Sequence, residues 1–151
     1  MRLSDALLAA IDEAFDKASW HGPNLWGALR GITPARAAER PAPGRHNIWE
    51  LALHCAYWKY LVRRRLTGLK RGSFALAGSN FFPRPQELSA PAWRRDLELL
   101  RSEHLLLRQA IAAFSADELE EAGRIRLIRG AAAHDLYHAG QIRLLRRLAC
   151  R

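Results

Sequence analysis

The residues Trp93, Leu97, Leu100, His104, Leu107, Ile111 and Phe114 recur at intervals of three and four without a break. That period lays one continuous stripe along an α-helix, and an apolar stripe of this length must be buried against another element. Three other segments repeat it. The first carries Leu3, Leu7, Leu8, Ile11, Phe15 and Ala18 until Gly22-Pro23 stops it. The second runs from about Asn47 to Leu66 with Leu51, His54, Trp58 and Leu61 on one stripe, and the last, from about Ile125 to Ala149, aligns Leu127, Ala131, His134, His138, Ile142 and Leu145. No run alternates as a strand would, and no internal repeat or low-complexity tract appears. The expected fold is all-α, an antiparallel four-helix bundle with one longer crossover between the second and third helices. A chain of 151 residues suits a single domain, 1–151, large enough to hold a polar site inside a core.

The connections carry their own signals. Between His21 and His46, Thr33-Pro34 reads as an N-cap followed by proline at the first helical position, which predicts a short helix through Ala38. The loop from Thr67 to about Ser89 contains Gly68, Gly72, Gly78 and the run Asn80-Phe81-Phe82-Pro83. Exposed aromatics in so long a loop are expected to form a wall or lid over a pocket.

Charge and cysteine content exclude several classes. Lys and Arg number 24 against 15 Asp and Glu, a net charge of +9. Arg63-Arg64-Arg65, Lys70-Arg71, Arg143, Arg146 and Arg147 form a basic surface that would attract anions, yet no nucleic-acid-binding motif accompanies them, so nucleic acid is not the expected partner. The apolar run near the N-terminus is too short and too acidic for a signal peptide, and no stretch is long enough to span a membrane. Cys55 and Cys150 form no CxxC pair and imply no disulfide framework, which makes the cytoplasm the expected compartment.

The stripes contain a chemical anomaly. His54 stands in line with Leu51, Trp58 and Leu61, and His134 and His138 hold successive seam positions four residues apart, one turn from each other on one face. A buried imidazole needs partners for both ring nitrogens. A metal ion meets that need, since each neutral ring gives one lone pair to the ion and its other N–H to an outer acceptor. Two ligands from one helix and one from another leave a position open for water or substrate. Imidazole suits Zn, Ni, Fe, Co or Mn alike.

The segments His46-Asn47-Ile48-Trp49-Glu50-Leu51-Ala52-Leu53-His54 and His134-Asp135-Leu136-Tyr137-His138-Ala139-Gly140-Gln141-Ile142, with Trp20-His21-Gly22-Pro23 ahead of them, resemble the DinB-like (YfiT/DinB) superfamily along essentially the whole chain. The resemblance implies a four-helix bundle, a homodimer, and a divalent metal held by His54, His134 and His138. Some members of that family use a low-molecular-weight thiol as cosubstrate, so it also implies a metal-dependent thiol S-transferase or hydrolase acting on a small molecule. The alternative is a non-catalytic metal-binding or sensing protein.

Around the three histidines, Glu50 lies one turn before His54 and is a candidate to orient an imidazole or act as a base, or is a solvated carboxylate at a helix start. Gln141, one turn beyond His138, is a candidate to hydrogen-bond a ligand or substrate, and Tyr137 and Tyr57 are candidate phenolic donors or packing residues. His104 reads as a core histidine with an alternative as a further ligand. His21 and His46 read as caps or surface groups, Cys55 as a small core residue. Trp20, Trp26, Trp49, Trp58 and Trp93 read as core and interface material or as the lining of an apolar pocket.

Overall fold

Short polar side chains start the helices where the periodicity begins. Asn24, Thr33, Asn47, Ser89 and Ser115 each accept a hydrogen bond from the backbone N–H three residues on, satisfying a donor the helix leaves open, a contribution of about 1 kcal/mol per cap. The computed structural model describes residues 2–148, so Ala149 and Cys150 lie outside the described residues. Seven helices follow in order among these residues: α1 (Leu3–Phe15), α2 (Leu25–Leu29), α3 (Pro34–Ala38), α4 (Ile48–Thr67), α5 (Ala90–Ala112), α6 (Ala116–Glu120) and α7 (Arg124–Leu148). The fold is all-α. The short helix expected after Thr33 is α3, while α2 and α6, too short to show a period, are additions to the sequence reading. Helix α4 ends at Gly68, whose φ of 72° is the left-handed conformation that lets its N–H reach the Arg64 carbonyl.

The four long helices close a ring in which α4 packs on α5 and α7, and α1 packs on the same two. Asp12 meets Arg108 while Phe15 stacks on His104, so α1 and α5 run in opposite directions. Trp49 packs on Trp93 near one end of the bundle and Arg63 meets Glu103 further along, so α4 and α5 run in the same direction. The crossover allows this by carrying the chain back along the bundle. Asn47 pins it, donating from Nδ2 to the Arg84 carbonyl at 2.8 Å, and Trp49 and Arg84 share Asp96 at 2.7 Å each.

Of the crossover aromatics, Phe74 and Phe82 are not the exposed wall the sequence suggests, while Phe81 does line a pocket. Phe74 and Phe82 are buried in the core with Tyr60, and Tyr57 packs partly buried against them, because a loop that returns along the bundle lays its apolar residues inward; Phe81 remains partly buried at the site. Trp49 and Trp93 are core, Trp26 and Trp58 pack at its edge, and Trp20 is fully exposed. On α7 the buried residues are Ile128, Ala131, Ala132, Asp135, His138, Ala139 and Ile142. This stripe is turned by about one residue from the expected one and takes Asp135 inside.

Candidate metal centre

The register of α4 against α7 brings His54, His134 and His138 to one point, with ligand nitrogens all within 4.8 Å of one another. The Nε2 atom of His134 lies 3.1 Å from Nε2 of His54 and 3.1 Å from Nε2 of His138. His54 and His138 are buried and His134 half-buried. Burial pushes His54 down to about 4 and His134 to about 3, the latter aided by the neighbouring imidazoles, and burial lowers His138 as well. All three rings are therefore neutral at pH 7 and offer lone pairs.

Outer hydrogen bonds settle which nitrogens those are. His54 Nδ1 faces the Asn80 carbonyl at 3.0 Å, an acceptor only, so Nδ1 carries the proton and Nε2 is bare. His138 Nδ1 faces Gln141 Oε1 at 2.7 Å while Gln141 Nε2 donates to the Tyr137 hydroxyl at 3.2 Å, an arrangement in which the proton of His138 sits on Nδ1. His138 Nε2 is bare as well. His134 can donate to one of its two neighbours and never to both, so a lone pair is left facing a lone pair. A cation answers all three, and tetrahedral ligands about 2.0–2.1 Å from zinc stand about 3.3 Å apart, close to the spacing found. The donor set fits a divalent ion with imidazole preference.

Aromatic rings wall the cluster. Phe81 stacks on His54 with centroids 4.1 Å apart, and His46 stacks on the other face of Phe81 at 3.7 Å. Trp58 stands 5.5 Å from His134 and donates from Nε1 to Asn80 Oδ1 at 3.0 Å. Asn80 thus holds His54 and Trp58 together, from a left-handed backbone of φ 65° that asparagine tolerates better than most residues. Its role escapes a sequence reading because it lies 26 residues from His54 in a loop; the preceding glycines and following aromatics are its only signal.

The other candidates fall into place around this. Gln141 and Tyr137 adjoin His138. Glu50 is buried and its carboxylate is taken by Arg40, by His46 Nδ1 at 2.8 Å and by the Arg84 N–H at 3.3 Å. It orients the imidazole of His46 and makes no hydrogen bond to His54. Tyr57 packs among Phe74 and Phe82, and His21 is exposed beside Ser19. His104 is not in the cluster. It is buried against Phe15, with Nδ1 3.4 Å from Lys59 Nζ, and burial pushes it down to about 3.

Behind the three histidines lies a feature the sequence reading missed. Lys59 and Asp135, each about 1% exposed, form an ion pair in the core, and Lys59 also lies 4.8 Å from the Phe15 ring centroid. Burial drives the Asp135 carboxyl upward while Lys59 pulls it back. Cys55 is fully buried, its thiol pushed up by desolvation, within 4.8 Å of ligand atoms of His134 and Asp135. The basic surface is also smaller than the sequence suggests. Arg63 pairs with Glu103 at 3.0 Å, and Arg146 donates to the Ala28 and Arg30 carbonyls at 2.8 and 3.0 Å.

No helix among the described residues is long and apolar enough to cross a membrane. Searches of curated proteins and of solved structures give no match. A family model for the DinB superfamily matches residues 18–142, which take in α2 to α5 and the histidine pair on α7. With that match over most of its length, an all-helical fold and three histidines gathered where one ion can be held, this chain belongs to the DinB superfamily.

Proposed function

We propose that His54, His134 and His138 hold one divalent ion, from among Zn, Ni, Fe, Co and Mn, and that the protein is a metal-dependent thiol S-transferase or hydrolase acting on a small molecule. The observation that carries this reading is the convergence of three Nε2 atoms, two of which are stripped of protons by the outer hydrogen bonds of their rings. A divalent ion in that position supplies Lewis acidity, which lowers the pKa of a thiol or water.

The chain's own groups do the rest. Gln141 keeps the proton of His138 on Nδ1 and donates to Tyr137, so the phenolic O–H of Tyr137 is left to point at a substrate. Tyr137 borders a cavity of about 420 Å³ whose wall includes Leu51, Phe81, His138 and Gln141. Glu50 acts as a positioning residue: it fixes His46, which backs Phe81, which covers one face of His54 and keeps water from it.

Metal-loaded protein is expected to accelerate consumption of a low-molecular-weight thiol by a soft electrophile, and apo protein and the His138→Ala variant are not. Rate without added thiol selects hydrolysis. Tyr137→Phe should slow the reaction about three- to tenfold at unchanged metal content, the size of one hydrogen bond. Absence of any metal-dependent rate across thiols and electrophiles would leave a binding role instead.

The same reading makes the protein a homodimer. Leu144 and Leu148 are large and exposed along the outside of α7, a strip that pairing about a two-fold axis would cover. Light scattering at micromolar concentration should give twice the monomer mass; a monomer mass alone rules the dimer out.

A further inference from the structure

A groove of about 700 Å³ runs between α4 and α7 and reaches His134 at its inner end, within the size range of small-molecule sites. Trp58, Val62, Leu66, Leu127 and Ala131 give it an apolar lining. Three arginines stand further out. Arg124 is spent, bound to Glu121 at 3.0 Å and lying over the Phe114 ring at 4.6 Å. Arg65 and Arg126 line the groove, are exposed, and have no acidic partner among the described residues. Glu121, the one acid on the wall, is already paired, so two positive charges face the groove unanswered.

Gly130 lines the middle of the groove. Outside its own stretch of helix, no atom lies within 4 Å of where a Cβ would stand on Gly130, so a side chain there would extend into open space. Glycine is the poorest helix former after proline, and at this position it leaves room that any larger residue would take. From Arg126 to His134 is eight residues of α7, about 12 Å along the axis. Arg65 stands at the same outer end, because α4 and α7 run in opposite directions: His54 meets His138 and Trp58 meets His134, while Leu66 shares the groove with Leu127.

We propose that this groove binds an elongated small molecule with an apolar body and an anionic terminus, its anion held by Arg65 and Arg126 and its other end presented to the histidine cluster. The body matches the apolar lining, and the terminus neutralises two guanidinium groups suited to a carboxylate or phosphate. The inference rests on the metal-centre reading for what happens at the inner end, while recognition at the outer end belongs to the groove alone.

Octanoate, octanol and octylamine are suitable probes, alike in length and differing in terminal charge. Calorimetry on metal-loaded protein should show octanoate binding at least tenfold more tightly than octanol, octylamine not at all, and octanoate weakening as salt is raised. The Arg65→Ala/Arg126→Ala double variant should lose tenfold or more in octanoate affinity and nothing in octanol affinity, with metal content and circular dichroism unchanged. Gly130→Leu should block both ligands while the protein still retains its ion. Equal affinity for octanoate and octanol, or octanoate binding that survives the double arginine variant, overturns the proposal. Octanoate lost in His138→Ala yet kept in the arginine variant shows the carboxylate on the metal centre and overturns it too. Arginine-dependent binding in a wild-type protein that elemental analysis finds free of metal supports the groove and overturns the metal-centre reading.

Discussion

His134→Ala is expected to strip the protein of its ion when purified without a metal-affinity tag. His134 Nε2 lies 3.1 Å from the other two ligand nitrogens, so it is the member that joins the α4 ligand to the second α7 ligand. Without it, two imidazoles from different helices remain, fewer than the three protein ligands of an open divalent site. Elemental analysis should find metal occupancy reduced from near one per chain to background. Gln141→Ala provides the graded comparison: it removes only the acceptor of the His138 Nδ1 proton, and losses of that kind weaken metal affinity about 10- to 100-fold. Stoichiometric metal in His134→Ala would refute the assignment of the site.

The largest effect on stability is expected from Asp135→Ala. Its carboxylate is the anionic partner of Lys59, and both side chains are almost wholly removed from water. Removing one member of such a pair leaves the other charge buried and uncompensated, at a cost of about 3–5 kcal/mol. Against the roughly 5–15 kcal/mol that holds a domain folded, that is a large fraction. Replacing both partners by apolar residues, as in Lys59→Met with Asp135→Leu, removes the charge along with its partner and should recover most of the loss. Urea denaturation of the two single variants and the double measures the coupling between them. A cost for Asp135→Ala under about 1 kcal/mol would mean that water reaches Lys59 and that the pair is not buried in solution.

The pair also marks where sequence reasoning stops. In a helix, a lone Lys or Asp reads as solvated, because burying either by itself is prohibitive. Lys59 and Asp135 are 76 residues apart, and only the register of α4 on α7 makes each the other's reason for being inside. The turned stripe of α7 follows from this, since an inward Asp135 moves Leu127 and His134 to half-buried positions and brings Ile128 into the core. Glu50 teaches the same lesson. Its place one turn before His54 was visible, but its partners Arg40 and Arg84 come from a link and a loop that no periodicity describes.

By itself the sequence determined what is local and repeated. Apolar spacing of three and four specified each long helix, side-chain caps such as Asn47 and Ser89 set where helices begin, and four-residue spacing put His134 and His138 on one face whatever α7 packs against. Tertiary structure alone decided which far-apart residues meet: His54 with His134, Asn80 with His54, Lys59 with Asp135, and an open groove beside Gly130. The physical reason is one of range. Backbone hydrogen bonding and side-chain periodicity act within a few residues, whereas proton placement on a ligand ring and compensation of a buried charge depend on groups that only packing of whole helices brings within hydrogen-bonding distance.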